Sequence, residues 1–245
     1  MSDQEAAATV LVTGAGRRVG RAIALDLARA GWRVGVHYHR SEQDAAGVVA
    51  EIERQGGKAA ALRADLDRPE EFAPLLRACA EELGPVTCLI NNAAHYDWDS
   101  LADMSLESWE AHLDIDLRAP VFLTQAFAAA LPEGLTGNVI NLIDQKVWRL
   151  DPGFFSYTIA KSALWTATQT MAQALAPRIR VNAIAPGPVL PSHRQSQAEF
   201  ERECRETPLG RGATLEEICR AITFLLATPS ITGQMIAVDG GQHLG

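Results

Sequence analysis

The sequence predicts a doubly wound α/β fold of the Rossmann type, a single seven-stranded parallel sheet with helices on both faces. Three observations predict it. Short β-branched or apolar runs alternate with longer segments of helical periodicity. The connecting segments have lengths that suit right-handed crossovers. The first run also leads into a glycine-bearing turn that opens a helix. The 245 residues show no internal repeat, low-complexity tract or linker, so one domain spanning 1–245 is expected, burying roughly 70–75% of the surface its unfolded form exposes.

In chain order, the expected strands are 10–13, 33–38, 59–64, 88–91, 138–143, 180–184 and 235–238. Helices are expected to start near Arg18, Glu42, Pro69, Leu106, Ser156 and Leu215, with Gly31, Gly56-Gly57 and Gly84-Pro85 as stops or turns. Residues 1–8 are acidic and short of apolar side chains, and read as a flexible N-terminus. The stretch 186–208, rich in Pro, Ser and Gln, reads as a long irregular loop over a substrate.

A formal charge of −8 and a pI near 5.3 argue against nucleic-acid and anionic-membrane binding, and no apolar run approaches a membrane span. Cys79, Cys88, Cys204 and Cys219 form no CxxC pair and no zinc-like cluster. A cytoplasmic protein without a metal is therefore expected, acting on a small molecule.

The first strand runs into Thr13-Gly14-Ala15-Gly16-Arg17-Arg18-Val19-Gly20. Gly14 and Gly20 let backbone pass close to a pyrophosphate, which the N–H groups and dipole of the following helix stabilise. A structural turn is the alternative. The second strand ends His37-Tyr38-His39-Arg40-Ser41, where an NAD-binding chain would place an acid for the ribose. Here that end is basic. His39, Arg40 and Ser41, with Arg17 across the turn, make a fork for a 2′-phosphate, so NADPH is preferred over NADH. Asp65, followed by Leu66 after the third strand, either accepts from the adenine amino group or caps the next turn.

Tyr157 and Lys161 are four apart on one helix face, and an ammonium beside a phenol favours its ionised form. Asp144 ends a strand thirteen positions earlier. Ligand sites collect at the carboxyl ends of parallel strands, so Asp144, Asn91-Asn92-Ala93 and Pro186-Gly187 should converge beside the glycine turn.

From Thr13 to Gly241 the chain resembles the short-chain dehydrogenase/reductase family. Thr13-Gly14…Gly20, Asn91-Asn92-Ala93-Ala94, Tyr157-x-x-x-Lys161, Arg180-Val181-Asn182, Pro186-Gly187 and Asp239-Gly240-Gly241 match in order. The resemblance implies that Tyr157 is the acid or base, that Lys161 holds the nicotinamide ribose and lowers the tyrosine pKa, and that Asn92, Ala93 and Ala94 lie along the cofactor. It also implies a homotetramer built through the helices near 106–131 and 156–176.

Three departures resemble the pteridine reductases and the bacterial dihydromonapterin/dihydrofolate reductases. Arg18 replaces the middle glycine of the turn, Asp144 replaces a serine, and the second strand ends in the His37–Ser41 run. In that branch Arg18 would face phosphate and substrate, and Tyr96 would stack a pterin against the nicotinamide. Two further positions depart: Asp116 stands where the family usually has an asparagine, and Ala94 where the pteridine reductases often have a serine. The implied reaction is hydride transfer from NADPH to a pterin or dihydrofolate C=N bond, with Tyr157 or Asp144 supplying the proton, Lys161 beside them, and Arg18, Tyr96, Asp144 and Tyr157 on the substrate. The competing readings are a general NADPH-dependent ketone or 3-oxoacyl reductase, and an NADPH-binding regulatory protein whose site has decayed.

Overall fold

A computed structural model describes residues 8–192 and 194–245. The expectation for the N-terminus falls almost wholly outside the described residues, and within the 186–208 stretch His193 also lies outside them. The elements run β1 (Thr9–Val12), α1 (Arg18–Arg29), β2 (Arg33–Tyr38), α2 (Glu42–Arg54), β3 (Ala59–Arg63), α3 (Phe72–Leu83), β4 (Val86–Asn91) and α4 (Leu106–Leu113). Then follow α5 (Ala119–Ala130), β5 (Gly137–Leu142), α6 (Phe155–Leu175), β6 (Ile179–Pro186), α7 (Gln197–Glu206), α8 (Leu215–Ala227) and β7 (Met235–Val238). The strands form one parallel sheet in the order β3-β2-β1-β4-β5-β6-β7.

Period-two alternation divides each strand between two cores. Val10 and Val12 of β1, with Val34 and Val36 of β2, pack against Ile23 and Leu27 of α1, Val48 of α2 and Ile222 of α8. Leu11, between the two valines, faces the other way, onto the layer of Leu76 in α3 and Leu123 and Phe127 in α5. Sheet order reverses between β1 and β4, and their carboxyl ends open a crevice there.

All seven expected strands are present, and no end is displaced by more than two residues. Three segments differ more. Pro69–Glu71 is a short 3-10 turn, and the α-helix itself starts at Phe72. The stretch 186–208 is not irregular throughout, because α7 lies inside it. Ser196 accepts from the Glu199 N–H, and the Glu199 carboxylate accepts from the Ser196 N–H at 2.8 Å, a reciprocal cap that the Ser-x-x-Glu spacing carries.

The helix beginning at Leu106 widens into a π turn at Asp114–Arg118 before α5. Pro120 has no N–H to donate to the carbonyl four residues back, that of Asp116, so the ladder gives way at that point.

Candidate active site

The glycine turn is held from behind. The Gly14 N–H donates to His37 Nδ1 at 3.0 Å, and His37 Nε2 lies 3.2 Å from the Ala64 carbonyl, which fixes a neutral imidazole protonated at Nε2. Burial lowers the His37 pKa to about 4. Gly14 takes a φ of +62°, and a Cβ on Gly20 would stand 2.3 Å from the Gly14 carbonyl oxygen, so no side chain fits there. Thr13 Oγ1 accepts from the Asn92 and Ala93 N–H groups at 2.9 and 3.0 Å, while the Asn92 amide donates to the Thr13 carbonyl at 2.8 Å. These bonds lock the ends of β1 and β4 together across the switch point.

Beyond the turn, α1 starts without a side-chain cap and with no acidic residue in its first turn. Its unpaired N–H groups and positive dipole suit an anion. Gly14, Arg17, Arg18, Val19 and Gly20 line one cleft of about 1220 Å³, together with Asn92, Ala93 and Ala94. Tyr96, Asp144, Tyr157 and Lys161, then Pro186 and Gly187, complete its walls.

His39, Arg40, Ser41, Asp65 and Leu66 lie outside this lining, around the ends of β2 and β3. Arg17 departs from the expected fork, because Asp44 holds its guanidinium at 2.6 Å. His39 lies 3.6 Å from Asp65. Arg40 is exposed and makes no ion pair among the described residues. Asp65 accepts from the Asp67 N–H at 3.1 Å, so it does cap a turn. The Leu66 side chain is core, and only its backbone is left for a ligand. The uncapped helix start and the free Arg40 fit a dinucleotide carrying an additional phosphate.

At the other end of the cleft, the Tyr157 hydroxyl donates to Asp144 Oδ2 at 3.1 Å. Asp144 Oδ1 accepts from the Lys146 N–H at 2.8 Å, so this carboxylate caps a turn and also meets the phenol. Lys161, 2% exposed, donates to the Leu142 carbonyl at 2.9 Å and lies 3.1 Å from Asp116 Oδ1. Burial pushes the Asp116 carboxyl up to about 7 against the pull of Lys161. Burial also raises Asp144, opposed by Lys146 and the Tyr157 hydroxyl.

Other groups outweigh the downward pull expected of Lys161 on the Tyr157 pKa. Burial, then the charges of Asp144 and Asp116, raise it well above its ordinary value, and the residue is held as a neutral phenol. Asp116, 3.1 Å from Lys161, opposes part of the pull on which that expectation rested.

Tyr96 stacks on Phe154 with centroids 4.6 Å apart, and meets Tyr157 edge-on at 4.9 Å. Phe154 therefore covers one Tyr96 face, and sequence reasoning missed it. His37 was also missed, although it sits in the basic strand end, where burial rather than charge decides its role. Arg18 takes a φ of +52° and donates to the Pro191 carbonyl at 2.9 Å. Across the cleft, Arg194 pairs with Asp97 at 2.9 Å, so the segment after β6 is tied down on both sides. Leu190 and Arg194 reach the cleft lining, and Trp148 packs against His243.

Residues 14–243 match a family profile described as enoyl-(acyl carrier protein) reductase. A 3-oxoacyl-[acyl-carrier-protein] reductase from Synechocystis is 35% identical over 240 residues, covering 96% of this chain and 97% of that protein. The crystal structure of FolM alternative dihydrofolate reductase 1 from Brucella canis, complexed with NADP, superposes with a TM-score of 0.95 at 46% identity, covering 98% of this chain and 95% of that one. Its counterpart from Brucella suis, also with NADP, gives 0.95 at 47%, covering 98% and 96%. The chain belongs to the short-chain dehydrogenase/reductase family. It is an oxidoreductase of that family, and its structural neighbours include FolM alternative dihydrofolate reductases.

Proposed function

We propose that the protein is an NADPH-dependent reductase acting on a C=N bond of a reduced pterin or of dihydrofolate. The observation that carries this reading is the carboxylate of Asp144 hydrogen-bonded to the Tyr157 hydroxyl beside the Tyr96–Phe154 wall. A carboxylate at this point would repel the oxyanion that develops when a ketone is reduced. It accepts readily from the amino and ring N–H groups of a pterin, whose flat ring suits an aromatic wall. The likeness to the two FolM structures supports the same choice.

The glycine turn, the start of α1, Asn92–Ala94, Lys161 and Pro186–Gly187 would hold the dinucleotide, with Arg40, His39 and Ser41 toward its 2′-phosphate. NADPH supplies the hydride when bound. Tyr157, kept neutral, donates its proton to the nitrogen next to the carbon that is reduced. Asp144 orients the phenol, and Lys161 stands 5.6 Å from the ring centroid to offset the phenolate that is left. Proton return from water through the open cleft completes the cycle.

A ketone or 3-oxoacyl reductase is the second reading, favoured by the Synechocystis relative. The test is oxidation of NADPH and NADH, followed by nicotinamide absorbance, against 7,8-dihydropterins, dihydrofolate and a ketone panel. Pterin turnover with NADPH preference is expected. Turnover of ketones alone would move the protein to the second reading, and tight NADPH binding without turnover would indicate a regulatory protein. The assembly proposed is a homotetramer through α4–α5 and α6, whose Phe122 and Ile159 are exposed apolar residues. Light scattering should give four times the chain mass, and a monomer would refute it.

A further inference from the structure

A second buried polar cluster lies directly behind Tyr157 and has no part in the chemistry above. Asp99, 4% exposed, receives the Ser156 N–H on Oδ1 at 3.0 Å. Its Oδ2 takes the hydroxyls of Ser156 and of Ser108, the latter at 2.7 Å. His112, fully buried, accepts from the Asp97 N–H on Nε2 at 3.3 Å, which leaves its proton on Nδ1. Nδ1 lies 2.7 Å from Ser156 Oγ and 3.0 Å from the Ser108 carbonyl.

Burial tends to raise the Asp99 pKa, but the bonds from Ser156 and Ser108 outweigh it and hold the group ionised. Burial lowers His112, assisted by His95. A charged carboxylate is thus buried with hydroxyls, an N–H and a neutral imidazole around it, an arrangement that costs desolvation energy without the return of a close cation.

The helix it touches explains its presence. Phe154, at the N-cap of α6, gives no side-chain cap, and the first turn of α6 has no acidic residue. Asp99 serves both needs from another part of the chain. Its carbonyl accepts from the Phe155 N–H at 3.2 Å, and its carboxylate accepts from the next N–H while placing a negative charge on the positive end of the helix. Tyr157 is the residue that follows. The same loop carries Tyr96 three positions before Asp99, so one carboxylate fixes the helix bearing the phenol and the segment bearing the aromatic wall.

We propose that Asp99, acting through Ser156 and supported by His112, is a positioning residue that sets the Tyr157 hydroxyl against Asp144 and Tyr96. The proposal rests on the reading of Tyr157 as proton donor. Asp99→Asn and Ser156→Ala, made in the full chain, test it by two measurements. In NMR of protein labelled at the tyrosine ring ζ carbon, there are three signals, from Tyr38, Tyr96 and Tyr157. Both variants should move those of Tyr157 and Tyr96 and leave that of Tyr38, a result that depends on no substrate. In steady-state assays with the substrate the parent protein turns over best, kcat should fall at least tenfold while NADPH affinity stays within twofold.

Ser156→Ala removes one hydroxyl and keeps the backbone bond to Asp99, so it preserves the test if Asp99→Asn does not fold. An unmoved Tyr157 signal, or a lower melting temperature with kcat intact, would overturn the positioning role. A moved signal in a protein that reduces no pterin would leave Asp99 in place and overturn the pterin reading instead.

Discussion

Tyr157 reaches its protonation state through neighbours that oppose one another. Lys161 would favour the phenolate, yet it also faces Asp116 and the Leu142 carbonyl, while Asp144 takes the phenol's own hydrogen bond. A buried phenol that donates to a carboxylate stays protonated at neutral pH, which is the form an acid catalyst needs. Tyr157→Phe deletes the proton and little volume. Turnover should drop roughly a hundredfold or more, the usual scale for a lost general acid, with NADPH binding preserved in a fluorescence titration. Unchanged turnover would remove Tyr157 from the mechanism. Arg18 shows a different compromise at the same scale. A side chain in the left-handed region costs on the order of 1–3 kcal/mol, and the Arg18 guanidinium offsets it by bonding the Pro191 carbonyl at the cleft mouth.

Elements explain why those residues meet. Asp116 reaches Lys161 from the π turn that Pro120 forces between α4 and α5, so a proline outside the site determines where a carboxylate inside it stands. With Asp116 pushed up to about 7, the Asp116–Lys161 pair loses a proton near neutrality, and each ionised Asp116 further raises Tyr157. Asp116→Asn cannot titrate. A kcat profile measured across neutrality should therefore lose its inflection near pH 7 in this variant, and superimposable profiles would exclude Asp116 from the proton chemistry.

The glycine turn and the 157/161 spacing were legible in the sequence because they are local. The π turn was not, since periodicity alone carries Leu106 to Leu131 as a continuous helix. Phe154 and Asp99 were hidden for another reason: each acts through a contact between segments distant in sequence, Phe154 on Tyr96 and Asp99 on Ser156. The α7 helix was readable from Ser196 and Glu199, but the surrounding Pro, Ser and Gln suggested a loop.

Across the whole molecule, two buried groups bind protons with opposite consequences for stability. His37 is depressed from 6.5 to about 4, so it stabilises above the unfolded value and withdraws that stability as pH falls through the window. By the linkage relation this amounts to about 3 kcal/mol between roughly pH 6.5 and 4. Asp116 is raised from 3.8 to about 7, so its contribution is complete below the unfolded value and is lost as pH rises through the folded one. Acidification over nearly the same range therefore subtracts the first contribution and adds the second, which is of similar size, on the order of 4 kcal/mol. Asp116→Asn deletes only the second. Urea unfolding of parent and variant at equal protein concentration, near pH 7 and near pH 4.5, isolates it because every other titrating group cancels in the double difference. The variant should lose about 2–4 kcal/mol more than the parent on acidification. Equal losses in the two proteins would mean that Asp116 is ionised in the folded state throughout this range, and that the Lys161 ammonium prevails over burial at this site.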